Sequence, residues 1–287
     1  LKRKRFRSLR RVVSRVLPGA TLDRNSAPGP CGPPGCPGLK GLRVLITGGS
    51  SGIGEAVAAA LLASEAKVVI IGRSEETVTR ALGRLGGTAT GSIAGLWGDL
   101  TGSNTLETVL HSAWERFDGI DALVNSVGIY SELNPCEISR EEWQRCLDTN
   151  LTVPFFTTTR IAGMMLDRRI KGSIVNIGSC IGIKPAPYAV HYGLTKAALV
   201  HMSRSLAKEW GPLGIRVNTV SPGITMTRMN AHLERDPSRQ RQVASYTALK
   251  RLAAPGEIAA AVLFLISPQS SYITGSEIVA DGGYVLS

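Results

Sequence analysis

The sequence predicts an α/β domain: a doubly wound parallel sheet of about seven strands with helices on both faces. Two observations carry that prediction. From residue 40 onward, short β-branched runs alternate with longer helical stretches, beginning RVLIT, GEAVAAALLASEA, KVVIIG. Strands that are apolar on both sides belong to a parallel sheet covered on both faces. The second observation is a glycine-rich turn lying directly between the first such run and the helix that follows it.

RVLIT, residues 43–47, opens the sheet. TGGSSGIG follows, with Gly48, Gly52 and Gly54 spaced G-x-x-x-G-x-G. Glycine permits a tight turn and lets the backbone approach a pyrophosphate with no Cβ in the way. The next helix aims its free N–H groups and positive dipole end at that anion. Gly48, Ser50, Ser51, Gly52, Ile53 and Gly54 are therefore candidate dinucleotide-binding residues, and the fold expected is of the Rossmann type.

The second strand, KVVIIG, ends at Gly72 and Arg73. An Asp or Glu there would accept hydrogen bonds from the adenosine 2′-hydroxyl and favour NAD. Arginine instead suits a 2′-phosphate by its charge and its fork of donors. NADP(H) is expected over NAD(H), with NAD use as the alternative. DALVNSVG, SIVNIGS, RVNTVSPG and SEIVADGG supply the later strands. No internal repeat or linker interrupts them, so residues 41–287 read as one dinucleotide-binding domain.

Residues 1–40 read differently. They hold ten Lys or Arg and one acidic residue, Asp23, a net of +9 out of the chain's +11. The remainder carries only +2, which does not support a basic groove for nucleic acid. The run NSAPGPCGPPGCPG has too much proline and glycine for a packed element. A disordered leader, translated sequence upstream of the true start, an organelle transit peptide and an anionic-surface tether all fit this segment. The domain itself is expected to be cytoplasmic unless the leader directs it elsewhere. No run of 18 apolar residues appears, so no membrane span is expected. Five cysteines are scattered, with no paired zinc-type spacing. Cys31 and Cys36 alone leave a metal clip or a disulfide open, and no metal site is expected in the domain.

HYGLTKAALV, residues 191–200, sets Tyr192 and Lys196 one helical turn apart on the same face. An ammonium there favours the phenolate through space. Moving a tyrosine from about 10 to about 7 requires roughly 4 kcal/mol of differential stabilisation. A tyrosine so tuned exchanges a proton with a carbonyl or alcohol oxygen. Ser179 ends the run SIVNIGS thirteen residues earlier. A hydroxyl at a strand's carboxyl end lies in the crevice where doubly wound sheets bind ligands, and there it can stabilise charge on a reacting oxygen.

With these residues in place, the chain resembles the short-chain dehydrogenase/reductase family over residues 41–287. Its landmarks run in family order: TGGSSGIG, GDL, NSVG, DTNLT, SIVNIGS, YGLTK, VNTVSPGITMT and ITGSEIVADGG. The resemblance implies a catalytic tetrad of Asn150, Ser179, Tyr192 and Lys196. In it Tyr192 is the general acid/base, Ser179 polarises the substrate oxygen, Lys196 tunes Tyr192 and holds the nicotinamide ribose, and Asn150 keeps a relay water. It also implies cofactor contacts from Asp99 and Leu100 near adenine, from Asn125 and Gly128 after the central strand, and from Pro222, Gly223, Ile224 and Thr227 near the nicotinamide. Ser126 and Val127 depart from the family's usual Asn and Ala, and Gly178 from its usual Ser.

Two stretches are expected to wall the substrate. CIGIKPAPYAVH offers Lys184, Tyr188 and His191. The insertion MTRMNAHLERDPSRQRQVASYTALKRL, read as one or two helices, offers Met226. The expected function is oxidoreduction of a small carbonyl or secondary alcohol without metal, of a carbonyl or 3-oxoacyl reductase kind. A non-catalytic dinucleotide-sensing regulator is the alternative of a different class. The resemblance further implies a homotetramer with Asp281, Gly282 and Gly283 close to a subunit contact.

Overall fold

The computed structural model describes residues 38–86, 91–233 and 235–286. The expectations for residues 1–37, including those for Cys31 and Cys36, fall outside the described residues. Residues 38–40 do not behave as leader. Leu39 is 1% exposed within the core, and Lys40 pairs with Glu65 at 2.8 Å. The folded body therefore starts before the expected boundary at residue 41.

Seven parallel strands form one sheet in the order β3-β2-β1-β4-β5-β6-β7. They are β1 Arg43–Thr47, β2 Lys67–Gly72, β3 Ile93–Trp97, β4 Ala122–Asn125, β5 Ser173–Ile177, β6 Arg216–Pro222 and β7 Glu277–Ala280. Helices follow as α1 Gly52–Ala63, α2 Glu75–Arg84, α3 Ser103–Glu115, α4 Arg140–Leu147, α5 Val153–Asp167, α6 Val190–Trp210, α7 Pro237–Ser245 and α8 Pro255–Ile266. This is the Rossmann-type fold that the run pattern predicts.

Alternation along the strands explains the two layers. Val44, Ile46, Val68, Ile70 and Val124 face one side, where α1 and α8 cover them. Leu45, Val69, Ile71 and Leu123 face the other, beneath α3, α5 and α6. Successive side chains point to opposite faces, so strands buried on both sides become continuous apolar runs.

The chain leaves β1 toward β2 and β3, then returns to place β4 on the other flank of β1. That reversal opens a crevice at the carboxyl ends of β1 and β4, where such sheets take ligands. Thr47 and Asn125 are register partners at its floor. Asn125 donates to Thr158 Oγ1 and to Asn176 Oδ1, both at 2.8 Å, and Thr47 donates to Asn125 Oδ1 at 3.2 Å. Asn176 in turn donates to Ser203 Oγ at 2.9 Å. All are buried, and each buried amide group has its partner, which is what low-dielectric burial demands.

Candidate active site

The glycine turn lies at the mouth of that crevice. A Cβ on Gly48 would stand 2.7 Å from the Ser126 carbonyl oxygen, and one on Gly54 would collide with the Gly48 carbonyl. The backbone can close this tightly only without side chains, and a shallow cradle remains in front of α1. Ser51 is the N-cap of α1 yet makes no side-chain bond to the first turn. The helix N-terminus therefore keeps the donors that an anion uses. These features fit a dinucleotide pyrophosphate. Ser50, Ser51 and Ile53 are half-buried around it. Thr227 closes the far side: its Cγ2 lies 3.3 Å from a Cβ built on Gly52.

At the end of β2, a Cβ on Gly72 would meet Val78 Cγ2 at 2.6 Å and Ser50 Oγ at 2.9 Å. Any side chain at this position would require Val78 and Ser50 to shift. Arg73 follows on the surface. Asp99 is also exposed and accepts from the Thr101 amide at 3.0 Å and the Thr101 hydroxyl at 2.8 Å. These bonds hold its carboxyl below the usual range, and Arg73 adds to the effect. Leu100 beside it is buried. On the other flank, Pro222 ends β6, Gly223 N–H donates to the Ala280 carbonyl at 3.0 Å, and the Ile224 carbonyl accepts from Ala253 N at 3.1 Å.

The tetrad residues arrive from three separate elements. Ser179 follows β5 and accepts from Ile181 N at 3.2 Å. Tyr192 and Lys196 lie on α6, both buried. Asn150 sits in a π-helical segment, Asp148–Thr152, that joins α4 to α5. Pro154 explains the widened turn: a proline clashes with the carbonyl four residues back, here that of Asn150. Gly128 marks the convergence, since a Cβ there would lie 3.5 Å from Lys196 Nζ and 3.6 Å from Asn150 Oδ1. Lys196 Nζ stands 5.7 Å from the Tyr192 ring centre.

Both ends of the Asn150 side chain are engaged by neighbours. Its Oδ1 accepts from Ile129 N at 2.8 Å, and its Nδ2 donates to Ile129 O at 3.0 Å and Thr195 Oγ1 at 3.3 Å. Thr195 donates onward to the Tyr192 carbonyl at 2.7 Å. Burial and a single carbonyl acceptor, Ile177 O at 2.9 Å, leave the Lys196 ammonium poorly solvated and lower it to about 8.

The expected acidification of Tyr192 needs correction. Burial pushes its phenol up to about 12; the Ser179 side chain opposes the rise, while Cys180 and Cys146 add to it. The Lys196 ammonium, 5.7 Å from the ring centre and turned to Ile177 O, does not offset that burial.

Of the expected substrate-wall residues, Tyr188 is exposed and holds a left-handed backbone, φ 60°. Its carbonyl accepts from Leu133 N at 2.9 Å. Met226 is half-buried and paired with Ala253 through the backbone at 2.9 Å. Lys184 turns away to the C-terminal turn, with its ammonium 5.0 Å over the Tyr284 ring. His191 is 1% exposed and contacts Ser131 Oγ at 2.9 Å through Nε2. The insertion forms a short 3-10 stretch, Arg228–Leu233, and α7.

Sequence reading missed Tyr130, whose ring meets that of Tyr192 edge-on at 5.0 Å between centres. Only its place two residues after Gly128 hints at it. A hollow of about 480 Å³, lined by Leu249, Arg251, Val279 and Asp281, shares Gly223 and Ile224 with the expected nicotinamide wall and has no tetrad member on it.

A family model described as enoyl-(acyl carrier protein) reductase matches residues 48–285. The chain is 35% identical over 243 residues to 3beta-hydroxysteroid dehydrogenase 1 of Eggerthella lenta, covering 85% of this chain and 93% of that one. It is 35% identical over 239 residues to a 3-oxoacyl-(acyl-carrier-protein) reductase of Vibrio cholerae, covering 83% and 95%. Glucose 1-dehydrogenase 2 of Bacillus subtilis is 32% identical over 247 residues, covering 84% and 94%. A solved structure described as a short chain dehydrogenase/reductase family protein superposes with a TM-score of 0.76 at 37% identity, covering 87% of this chain and 99% of that one.

Proposed function

The chain belongs to the short-chain dehydrogenase/reductase family of oxidoreductases, and from that premise we propose that it moves a hydride between NADP(H) and a carbonyl or secondary alcohol, with Tyr192 as general acid/base. The observation that carries this reading is the meeting of Asn150, Lys196 and Gly128 behind Tyr192 and Ser179, at the strand ends beside the glycine cradle.

The bound nicotinamide supplies or accepts the hydride. The protein's part is proton placement. With its phenol near 12, Tyr192 carries its proton at neutral pH and is ready to donate it to a carbonyl oxygen that becomes an alcohol. Ser179 donates a hydrogen bond to the same oxygen as charge develops there. Lys196, near 8, remains mostly protonated at neutral pH and replenishes the phenol's neighbourhood with positive charge. Asn150 fixes Ile129 and, through Thr195, the helix turn that bears Tyr192. The alcohol-to-carbonyl direction uses the same groups with the phenol as acceptor, at the added cost of ionising a buried hydroxyl.

Gly72, which offers no carboxylate to a 2′-hydroxyl, and Arg73 beside it support NADP(H). Exposed Phe155 and Phe156 on α5, and Leu249 and Val279 near Asp281, Gly282 and Gly283, are surfaces that support a homotetramer. Light scattering tests that assembly, and a monomer would refute it.

The deciding experiment screens ketones, 3-oxoacyl thioesters and secondary alcohols by nicotinamide absorbance with both cofactors, in the wild type and in Tyr192→Phe. Turnover should fall by about 10²–10⁴ in the variant while NADPH binding persists. Undiminished turnover would remove Tyr192 from its role.

A further inference from the structure

The first turn of α1 carries a negative charge. Glu55 stands there, beside the donors assigned above to a pyrophosphate. A carboxylate suits the positive end of a helix, but it competes with any other anion drawn to the same end. Arg84, at the last turn of α2, answers it. Its Nε donates to Glu55 Oε1 at 2.5 Å and its Nη2 to Glu55 Oε2 at 3.0 Å. The same Nη2 donates to the Ser50 carbonyl at 3.2 Å, which places the guanidinium on the glycine turn itself.

Stability does not account for this arrangement. The Arg84 side chain is 52% exposed and that of Glu55 21%, and such surface pairs contribute about 0–1 kcal/mol. The geometry has a local effect instead. A forked donor covers both oxygens of the one carboxylate in the first turn and binds a carbonyl of the turn. A trans peptide directs its C=O and N–H oppositely. Holding the Ser50 oxygen on Arg84 therefore turns the Ser51 N–H to the other side of the turn.

We propose that Arg84 is a positioning residue for the dinucleotide: it cancels the Glu55 charge at the N-terminus of α1, so that the cradle presents net positive potential to the cofactor's phosphates. This rests on the reading of residues 48–54 as the dinucleotide site. The Arg84 effect acts on the shared pyrophosphate and is blind to the 2′-phosphate, which separates it from Arg73.

The test is equilibrium binding of NADPH and of NADH, followed by nicotinamide fluorescence, with thermal midpoints to verify folding. Arg84→Gln should weaken both about tenfold or more, and the deficit should shrink as salt is raised, because a repulsion between exposed charges is screened. Arg84→Lys should recover most of the loss. The double variant Glu55→Gln/Arg84→Gln should return to within about threefold of wild type, a rescue that a purely structural brace would not give. Arg84→Gln binding like wild type, or the double variant binding as poorly as Arg84→Gln, would overturn the proposal. A wild-type protein that binds neither dinucleotide would instead overturn the reading of the site, and the proposal with it.

Discussion

Lys196 donates from Nζ to the carbonyl oxygen of Ile177 at 2.9 Å, joining the second turn of α6 to the last residue of β5. The bond fixes the ammonium under the crevice, but one carbonyl does not replace the water it has lost. The folded chain therefore prefers this lysine neutral more than the unfolded chain does.

A pH signature of stability follows. The Lys196 pKa in the folded state, about 8, lies below its ordinary value of 10.5. Between these values the unfolded chain binds more protons, so stability rises with pH across that window. The full effect is on the order of 3 kcal/mol, with the burial cost of the cation present below pH 8. Urea unfolding of wild type and Lys196→Met from pH 7.5 to 10 should show wild type gaining on the variant as pH increases. Parallel curves would contradict the burial argument. Above pH 10 the raised Tyr192 works the other way, because the folded state then holds the extra proton.

Asn150 is expected to matter for stability as well as turnover. Asn150→Ala removes the partners of both the Ile129 N–H and its C=O. Ile129 is half-buried, so leaving these backbone groups unpaired costs up to about 1–3 kcal/mol each. Calorimetry should show a clear drop in Tm alongside a reduced kcat. A variant with native Tm would mean that water replaces the amide easily.

Arg73→Gln should raise the Kd for NADPH about tenfold and leave that for NADH within about a factor of two, since one charge-assisted contact is worth about 1.5–3 kcal/mol. Fluorescence titration with both cofactors measures it. Equal changes for the two would place Arg73 outside the 2′ site. Adding an acid at Gly72 should lower stability as well, because Val78 and Ser50 must shift to admit it.

Two glycines should respond oppositely to alanine. At Gly54 the added methyl meets the Gly48 carbonyl backbone, whereas Gly83 on α2 has open space around it. Gly54→Ala should lower stability and abolish dinucleotide binding. Gly83→Ala should stabilise by about 0.4–1 kcal/mol. Denaturant midpoints distinguish them, and a harmless Gly54→Ala would refute the close approach.

The strands and the glycine turn are legible in the sequence because both-face burial and tight turning each demand particular residue types over a short span. The Tyr192, Lys196 and Ser179 grouping is legible for the same reason: helix spacing and a strand end place them. What escapes is set by contacts distant along the chain. Nothing near Tyr192 announces Tyr130 at its edge, and nothing near Lys184 announces that it leans on Tyr284. The sign of the Tyr192 shift escapes too. A cation one turn away is visible in the sequence, but the depth of burial that outweighs it is not. His191 reads as a substrate contact, yet the fold turns it to Ser131, which donates to Glu142 at 2.7 Å. Since that hydroxyl proton goes to the carboxylate, the Ser131 oxygen accepts from the imidazole, and the histidine carries its proton on Nε2.

The widened turn at Asp148–Thr152 makes this part of the enzyme sensitive to counting. Removing one residue there would let the coil relax to ordinary α geometry, since the wide turn takes up one extra residue between helices that otherwise keep their phase. Asn150 would lose its facing toward Ile129 even with every side chain unchanged. The position of this side chain is thus set by how many residues lie between α4 and α5 as well as by which they are.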